Sequence, residues 1–481
     1  MIRFSRVTWP ARRTASLLVL IFVGIAWNVF GQDKPASDVM LLSPQDAVDL
    51  AIKNNLSLQT AKIDLDTKQR KADMVWNQFL PEVNVTGTVS RANWATTQQT
   101  LVPVPTSEIA PGTGVYDLVT PYSITLPNWN VIGTISASLN LSVAMIAGIQ
   151  ATRSNYQAGI MTFEKAKLQI ERDIRKTYNQ ILLLENTVTL QNDAFDNAQR
   201  QANMAQANYE AGLVPRLTWL QAQVQVENLK PGMTDLENNL KALKANFAMT
   251  LGLPYDTEFN LVDVDVTDFQ IPLDLADLIS KASSGKPDII ELQKNIVALQ
   301  NARKATAIQM YTPFLQLSWS ISPMFNPTLD PWSNSWFEYD NWKGGGSFTA
   351  VLGFNLNSFL PFTKEGQSLK DMDSQITSLN INLAQLVQGT QLEIFTKVNS
   401  LENTQASAQV QKSAVDLAEM TYNLTEEAYR AGLQDFQSVQ NSALALSQAK
   451  LQLLTQQFNY INDLIDLEYS VGVPFGTLSS F

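Results

Sequence analysis

The sequence of 481 residues contains no histidine and no cysteine. Without histidine, Ser-His-Asp triads, histidine general bases and histidine-containing zinc or haem sites are excluded. Without cysteine, disulfides, thiolate nucleophiles, iron–sulfur clusters and an acylated N-terminal cysteine are excluded as well. The sequence also offers no P-loop, no glycine-rich dinucleotide turn and no cluster of metal ligands. We therefore expect a protein that is not an enzyme and that needs no cofactor or metal.

Charged residues are scarce too. Asp, Glu, Lys and Arg make up 16% of the chain, against roughly 25% in a typical soluble domain. Because the apolar content is ordinary at 45%, uncharged polar residues have replaced the missing charges, which suits large surfaces that face a channel or a partner helix. The formal net charge of −11 would repel nucleic acid, whose binding requires a basic surface. We expect no nucleic-acid partner.

The N-terminus has the pattern of an export signal. Four arginines precede an apolar run from Leu17 to Trp27, and Gly31 is a small residue at a plausible cleavage point. A membrane anchor is the alternative, but the run is too short to cross about 30 Å of hydrocarbon comfortably. We predict a signal peptide over residues 1–31.

The remainder of the chain is a tandem duplication. Tyr209-Glu-Ala-Gly-Leu213 recurs 220 residues later as Tyr429-Arg-Ala-Gly-Leu433, and Leu251-Gly-Leu-Pro254 recurs at the same interval as Val471-Gly-Val-Pro474. Coincidence at this many positions is improbable. We therefore divide the chain after the signal into three parts: a first structural repeat over 32–255, a linker over 256–272 and a second structural repeat over 273–481.

Each repeat has two stretches in which apolar and small polar residues alternate. The first repeat shows this over 83–89 and 131–141, and the second over 315–321 and 347–356. Stretches of about ten residues that are apolar on one side and polar on the other match strands of an outer-membrane barrel. The alternative is a half-buried strand of a soluble sandwich, whose polar face would carry more charge.

The loops between these strands, roughly 91–130 and 323–347, are long and rich in proline. Tryptophans concentrate in this region, which predicts an aromatic girdle at a membrane interface or, as the alternative, a carbohydrate-binding patch. The residues concerned are Trp94, Trp129, Trp319, Trp332, Trp336 and Trp342.

Helical periodicity surrounds the strands. Residues 43–79 are predicted to form an opening helix, and residues 146–211 and 364–431 form long helices with a seven-residue apolar repeat, which indicates coiled-coil packing. About 65 residues at 1.5 Å each give a rod of roughly 100 Å. After a glycine turn a helix returns, with a kink expected at Pro231 in the first repeat. The returning and opening helices, stacked end to end, would equal the long helix in length.

Four strands cannot close a barrel, and an open sheet edge cannot lie in lipid, so other subunits must complete the sheet. The duplication, the helix-Pro-strand junctions at Pro81 and Pro313 and the Tyr-x-Ala-Gly-Leu turns resemble the TolC-like outer membrane efflux family (outer membrane factors) over essentially all of residues 43–476. The resemblance implies a mainly α protomer with a small β part. Its tandem repeats would contribute four strands to a trimeric 12-stranded outer-membrane β-barrel, continued by a long periplasmic α-helical coiled-coil tunnel.

This resemblance implies passive export rather than catalysis. The homotrimer would lie in outer-membrane lipid, extend into the periplasm and receive small molecules or polypeptides from an inner-membrane pump through a periplasmic adaptor protein. One alternative is a structural, periplasm-spanning coiled coil or adhesin stalk without transport. A second is an exported glycosidase with two carboxylates, for which the sequence shows no cleft-forming domain.

Two sets of site residues follow from the correspondence with the family. Relatives meet the adaptor through the Gly-Leu turns of the helical hairpins, although a glycine there can also be a plain helix C-cap. The corresponding residues are Gly212, Leu213, Gly432 and Leu433. Relatives close the tunnel just beyond these turns with acidic rings and an arginine. The corresponding aperture positions are Thr218, Gln434, Ser438 and Asn441, which carry no charge. We therefore predict gating by uncharged hydrogen bonds and weak block by cations.

Overall fold

Helices make up most of the described chain. This computed structural model describes residues 40–91, 97–103, 119–125, 129–263, 274–325, 342–360 and 362–478. The α-helices in these ranges are α1 (Pro44–Asn54), α2 (Leu56–Asp73), α3 (Ala144–Glu210), α4 (Arg216–Thr250), α5 (Leu275–Gly285), α6 (Pro287–Tyr311), α7 (Lys364–Arg430) and α8 (Phe436–Val471). None of these described helices is long and apolar enough to cross a membrane.

The β-strands are short by comparison, and they alternate with the helices. Those in the described ranges are β1 (Met40–Leu42), β2 (Glu82–Arg91), β3 (Thr97–Pro103), β4 (Val119–Thr125), β5 (Trp129–Ser142), β6 (Phe259–Leu261), β7 (Phe314–Ile321), β8 (Met324–Phe325), β9 (Trp342–Lys343) and β10 (Gly346–Gly353).

The two long helices confirm the predicted rods. Helices α3 and α7 have 67 residues each and begin 220 residues apart, so the duplication has kept their length. Residues spaced by seven lie on the buried side of each helix, as the coiled-coil pattern requires: Ile174 and Ile181 in α3, and Ile394 and Leu401 in α7, are almost fully buried. The returning helices α4 and α8 have 35 and 36 residues. The helix α4 continues through Pro231 without a break.

The single opening helix predicted over residues 43–79 is wrong in detail. The segment forms α1, α2 and a five-residue 3₁₀ turn, Val75–Phe79. Asn55 ends α1 in an extended conformation and caps α2, because its side chain accepts a hydrogen bond from the Leu58 amide. The second repeat has the same division at Lys286, which is extended and precedes Pro287 at the first position of α6.

The short helices stack end to end beside the long ones, as predicted. The Asn55 side chain donates a 2.8 Å hydrogen bond to the carbonyl of Thr250, which ties the end of α4 to the start of α2. In the second repeat Gly472, at the end of α8, lies against the backbone of Gly285, where α5 gives way to α6. The helices therefore form four columns, in the order α2 with α4, then α3, then α6 with α8, then α7.

The junction of these stacked helices holds the main core and a group of ion pairs. The Tyr178 hydroxyl, buried between the repeats, donates to the carbonyls of Leu42 and Val262 on the β1–β6 pair, and burial raises its pKa to about 12. Asp466 of α8 accepts hydrogen bonds from Lys176 of α3 and Lys397 of α7. Burial raises the pKa of Asp466, but the two lysines outweigh it and the pKa is lowered.

The main sheet is antiparallel in the order β2–β5–β7–β10, which confirms the four predicted strands. A bulge at Ser322 and Pro323 divides the third strand into β7 and β8, and β9 and β10 follow it on the other side. A side chain at Gly344 would overlap the Ser322 carbonyl oxygen and lie 2.9 Å from Cα of Pro323. This glycine therefore has a packing role at the bulge.

Two further predictions meet the structure only in part. The loop expected over 91–130 contains a hairpin, because β3 pairs with β4 in antiparallel register. The strand β6 lies inside the predicted linker, and its remaining residues 264–272 fall outside the described ranges. The signal peptide at 1–31 lies outside them as well. The division into repeats and linker therefore stays a prediction.

Candidate functional site

The first helix turn is a glycine-terminated hairpin between α3 and α4. Gly212 has a φ of +75°, which a glycine adopts without steric cost. Its amide donates to the carbonyl of Tyr209 at 2.9 Å, and the Leu213 amide donates to the carbonyl of Asn208 at 2.8 Å. These are the two hydrogen bonds of a Schellman motif, which satisfies the last carbonyls of the helix. The sequence therefore sets the turn by local backbone chemistry.

The second turn, between α7 and α8, repeats this geometry 220 residues later. Gly432 has a φ of +74°, its amide donates to Tyr429 at 2.9 Å, and the Leu433 amide donates to Ala428 at 2.8 Å. Both turns lie at the same end of the bundle, since Phe436 just beyond the second turn packs into a small core with α3 and α4. The members of this core are Ala202, Ala205, Ala222, Val226 and Phe436.

The leucine of each turn is exposed, although the residue at this position of a Schellman motif commonly packs back on its helix. Leu213 and Leu433 are 74% and 80% exposed. The same motif recurs at the other ends of α4 and α8, where Leu253 and Val473 pack against the buried cores. A role as plain C-cap does not require an exposed leucine, so the two tips carry an apolar surface that the fold itself does not use.

A groove of 570 Å³ lies beside these tips, between the last turns of α3 and α7. It is lined by polar and charged groups from both helices, including Arg200, Glu426 and Arg430. Arg430 and Glu426 form an ion pair at 2.6 Å, and Arg200 donates to the side chain of Asn197. The groove joins the two hairpin tips into one recognition surface.

The predicted aperture positions lie in the first two turns after the hairpin tips, on α4, on α8 and immediately before α8. Thr218 is part-buried in the first turn of α4. The side chain of Asn441 accepts a 3.1 Å hydrogen bond from Gln437, and the Ser438 amide donates to Asp435, which caps α8. Hydrogen bonds from Ser438 hold the pKa of Asp435 below its usual value. The charge near the predicted aperture is therefore a cap carboxylate outside the four predicted positions, which also include the exposed Gln434.

One buried hydroxyl at the tip lacks a partner. The ring of Tyr429 packs edge-on against Phe436, with centroids 6.0 Å apart, while its hydroxyl is buried and accepts or donates no hydrogen bond among the described residues. In the first repeat Tyr209 instead stacks on Trp219 at 5.5 Å. The two tips are therefore similar in backbone and different in their aromatic packing.

The two faces of the main sheet differ in chemistry. One face is apolar and largely exposed, with cross-strand rows such as Val83–Ala137–Trp319–Phe348. The other face carries small uncharged polar groups, with rows such as Asn84–Ser136–Ser320–Ser347. An exposed apolar face over four strands costs free energy in water, at about 25 cal/mol per Å². The sheet is therefore shaped for an apolar environment on one side and water on the other.

The protomer has open edges on two opposite sides. The sheet ends at β2 and β10, and the helical layer ends at the column of α2 with α4 and at α7. Because β2 follows α2 and β10 leads into α7, the two layers end on the same sides. Exposed apolar residues mark both outer columns at helical spacing: Leu217, Leu220 and Val224 on α4, and Val410, Leu417, Met420 and Leu424 on α7. The sequence analysis missed these stripes, although the spacing of seven from 410 to 417 to 424 was visible.

Other predicted features give less. Trp94, Trp332 and Trp336 of the predicted girdle lie outside the described residues, so the girdle stays a prediction. In the described ranges no three acidic side chains converge in a way that could hold a metal ion.

Comparisons with known proteins agree with this geometry. Residues 47–252 match the family model of the outer membrane efflux protein. No curated protein matches the chain in sequence. Among solved structures, the chain resembles the channel CusC, with 14% identity, a TM-score of 0.67 and coverage of 93% of this chain and 96% of that one. It also resembles the Campylobacter jejuni outer membrane channel CmeC, with 14% identity, a TM-score of 0.70 and coverage of 89% and 85%. A third is the Vibrio cholerae outer membrane protein VceC, with 16% identity, a TM-score of 0.65 and coverage of 90% and 96%.

Proposed function

We propose that this chain, which is an outer membrane efflux protein over residues 47–252 and has the fold of outer membrane channels throughout, forms a homotrimeric export conduit. The trimer carries small molecules or polypeptides across the periplasm and the outer membrane. It receives them from an inner-membrane pump through a periplasmic adaptor. The family is one of channel proteins rather than enzymes, and the chain transports without chemistry of its own.

The observation that carries this proposal is the sheet with one exposed apolar face, one uncharged polar face and two open edges. An apolar face of this size suits lipid, and the polar face suits a water-filled interior. Open edges cannot remain unpaired in lipid. Pairing β2 of one copy with β10 of the next is a head-to-tail contact, which closes into a ring. Three copies give twelve strands, an even number within the bacterial range.

The helical columns support the same closure. Head-to-tail assembly brings the exposed stripe on α4 of one copy towards the stripe on α7 of the next, so each stripe gains an apolar partner. The resulting tube of helices extends the barrel by about 100 Å, from 67 residues at 1.5 Å each. Its far end carries the hairpin tips, where Thr218, Gln434, Ser438 and Asn441 would form an uncharged aperture.

Adaptor docking is assigned to the tips. Gly212 and Gly432 set the turn geometry, and Leu213 and Leu433 offer the exposed apolar contacts beside the groove between α3 and α7. Exchange of both leucines for glutamate should abolish adaptor-dependent export. The glycines remain, so the turns and the conductance of the isolated trimer should be unchanged. A loss of conductance as well would show that these leucines support the fold instead.

The decisive test is the conductance of the purified, signal-processed protein in planar lipid bilayers, with the oligomeric mass measured in the same preparation. A trimer with discrete conductance steps would support the conduit and exclude the structural stalk. A trimer without steps should open when Gln434 and Ser438 are exchanged for bulky like-charged residues, and continued silence would contradict the proposal. A soluble monomer would overturn both the trimer and the barrel.

A further inference from the structure

Exposed aromatic side chains collect where the strands of the main sheet meet the helices. The exposed aromatics in the described part of the chain include only two, Tyr255 and Phe395, on the helices away from the sheet. Six others lie in the short segments that join helix and strand, and we name this set the junction belt: Trp76, Phe79, Tyr311, Phe354, Phe359 and Phe362. Such clustering requires a partner, because exposed aromatic surface is costly in water.

The junction belt continues the apolar face of the sheet. Outward-facing residues of β10 are even-numbered, from Phe348 to Leu352, and Phe354 follows in the same alternation. Its ring lies 5.5 Å from the ring of Phe359, which in turn lies 5.4 Å from the ring of Tyr311. Three aromatic side chains from β10, the following 3₁₀ turn and α6 therefore form one patch on the apolar side.

Both repeats supply members of the belt. Phe79 and Tyr311 stand two residues before Pro81 and Pro313, the equivalent junctions of the duplication. The belt residues outside the ring contacts are equally open, and Phe362 is 82% exposed. A single exposed aromatic has no special meaning, but repetition at each junction gives a band around the assembled molecule.

The height of the apolar face fits a bilayer. The outward residues of β5 run from Val131 to Leu141, about 34 Å of strand at 3.4 Å per residue. A tilt of about 40° reduces this to roughly 26 Å, close to the apolar band of outer-membrane barrels. The junction belt then falls at the edge of the hydrocarbon, where tryptophan, tyrosine and phenylalanine are enriched.

We infer that the junction belt binds the headgroup–acyl boundary of the phospholipid leaflet that faces the helices and thereby fixes how deep the chain sits. The inference rests on the proposed function, since it requires the sheet to lie in a membrane. It differs from the girdle predicted at the loops, because it is at the opposite rim. Its residues are at helix–strand junctions that the alternating pattern of the sequence did not single out.

The absence of cysteine makes a direct depth measurement practical, because each introduced cysteine is unique. Spin labels at Phe79→Cys and Phe362→Cys report the belt, in trimers reconstituted into phosphatidylcholine vesicles. Val85→Cys on the apolar face, Ser320→Cys on the polar face and Leu213→Cys at the tip are matched controls. The readout is the ratio of label accessibility to oxygen, which concentrates in lipid, and to a water-soluble nickel chelate.

We expect the ratio to be highest at Val85, lowest at Leu213 and Ser320, and intermediate at both belt positions. Belt labels that are as accessible to nickel as Leu213, while Val85 stays in lipid, would overturn the belt and leave the channel intact. Belt labels as deep as Val85 would also overturn it. A water-exposed Val85 would instead contradict the proposed function. If the Phe79 variant does not assemble, Trp76→Cys reports the same junction.

Discussion

Four glycines in the same backbone conformation allow the cost of close packing to be separated from the cost of the conformation. Gly212 and Gly432 at the tips, and Gly252 and Gly472 at the helix stacks, all have φ between +74° and +79°. An added Cβ meets open space at the tips. It would lie 2.5 Å from the Asn54 carbonyl at Gly252, and it would overlap the Gly285 backbone at Gly472.

Exchange for alanine should therefore have two different costs. At the tips only the left-handed conformation is penalised, by about 1 kcal/mol. At the stacks the backbones must also move apart, which adds about 1–3 kcal/mol for overpacking. The change in the unfolded chain is the same for every glycine-to-alanine exchange, so the difference between Gly472→Ala and Gly432→Ala reports the close approach alone. The pair Gly252→Ala and Gly212→Ala repeats the test in the first repeat.

Hydrogen exchange measured by mass spectrometry suits this comparison, because a chain of this size shows small shifts of melting temperature per kcal/mol. Local opening free energies should fall near the end of α8 in Gly472→Ala by more than near the end of α7 in Gly432→Ala. Equal losses at tip and stack, or a larger loss at the tip, would refute the reasoning. Trimer yield controls for misassembly.

Three further changes test other parts of the molecule. Asp466→Asn should lower stability at pH 7 by about 2–3 kcal/mol, since two part-buried lysines lose their shared carboxylate; because the pKa of Asp466 is lowered in the folded chain, its contribution is complete above the unfolded pKa near 3.9 and lost as pH falls through the folded pKa, so denaturation curves of the two proteins should converge below pH 3. Gln434→Asp combined with Ser438→Asp should create block by micromolar divalent cations in single-channel recordings, whereas the unaltered protein should conduct unchanged. Tyr429→Phe removes a buried hydroxyl without a described partner and should raise thermal stability slightly, by up to about 1 kcal/mol; a loss in the trimer would show that a neighbouring copy supplies the partner.

Sequence periodicity was sufficient for the helices and strands because it follows directly from packing. The heptads of α3 and α7 placed Ile174 and Ile394 in the core, and period-two alternation placed the strands of the sheet within a few residues. The break in the opening helix was missed, since Asn55 caps α2 by a local hydrogen bond that does not interrupt the apolar pattern. The hairpin of β3 and β4 was missed because its proline-rich sequence suggested loop.

Contacts between distant residues were beyond single-sequence reasoning. Nothing in the sequence indicates that Asp466 takes hydrogen bonds from lysines on two different helices, or that Gly472 meets Gly285. The junction belt is an intermediate case. Its aromatics are plain in the sequence, but only the register between β7 and β10 shows that Phe354 stands on the apolar face.

The identical length of α3 and α7 constrains how a chain of this kind can evolve a different reach. One extra heptad in α3 alone would raise one hairpin tip above the other by about 10 Å and leave its stacked partner column short. Growth or shrinkage must therefore occur in both repeats and in every column together, in steps that keep the core register. A gene duplication supplies that coordination at the outset, because both copies inherit the same measure of length.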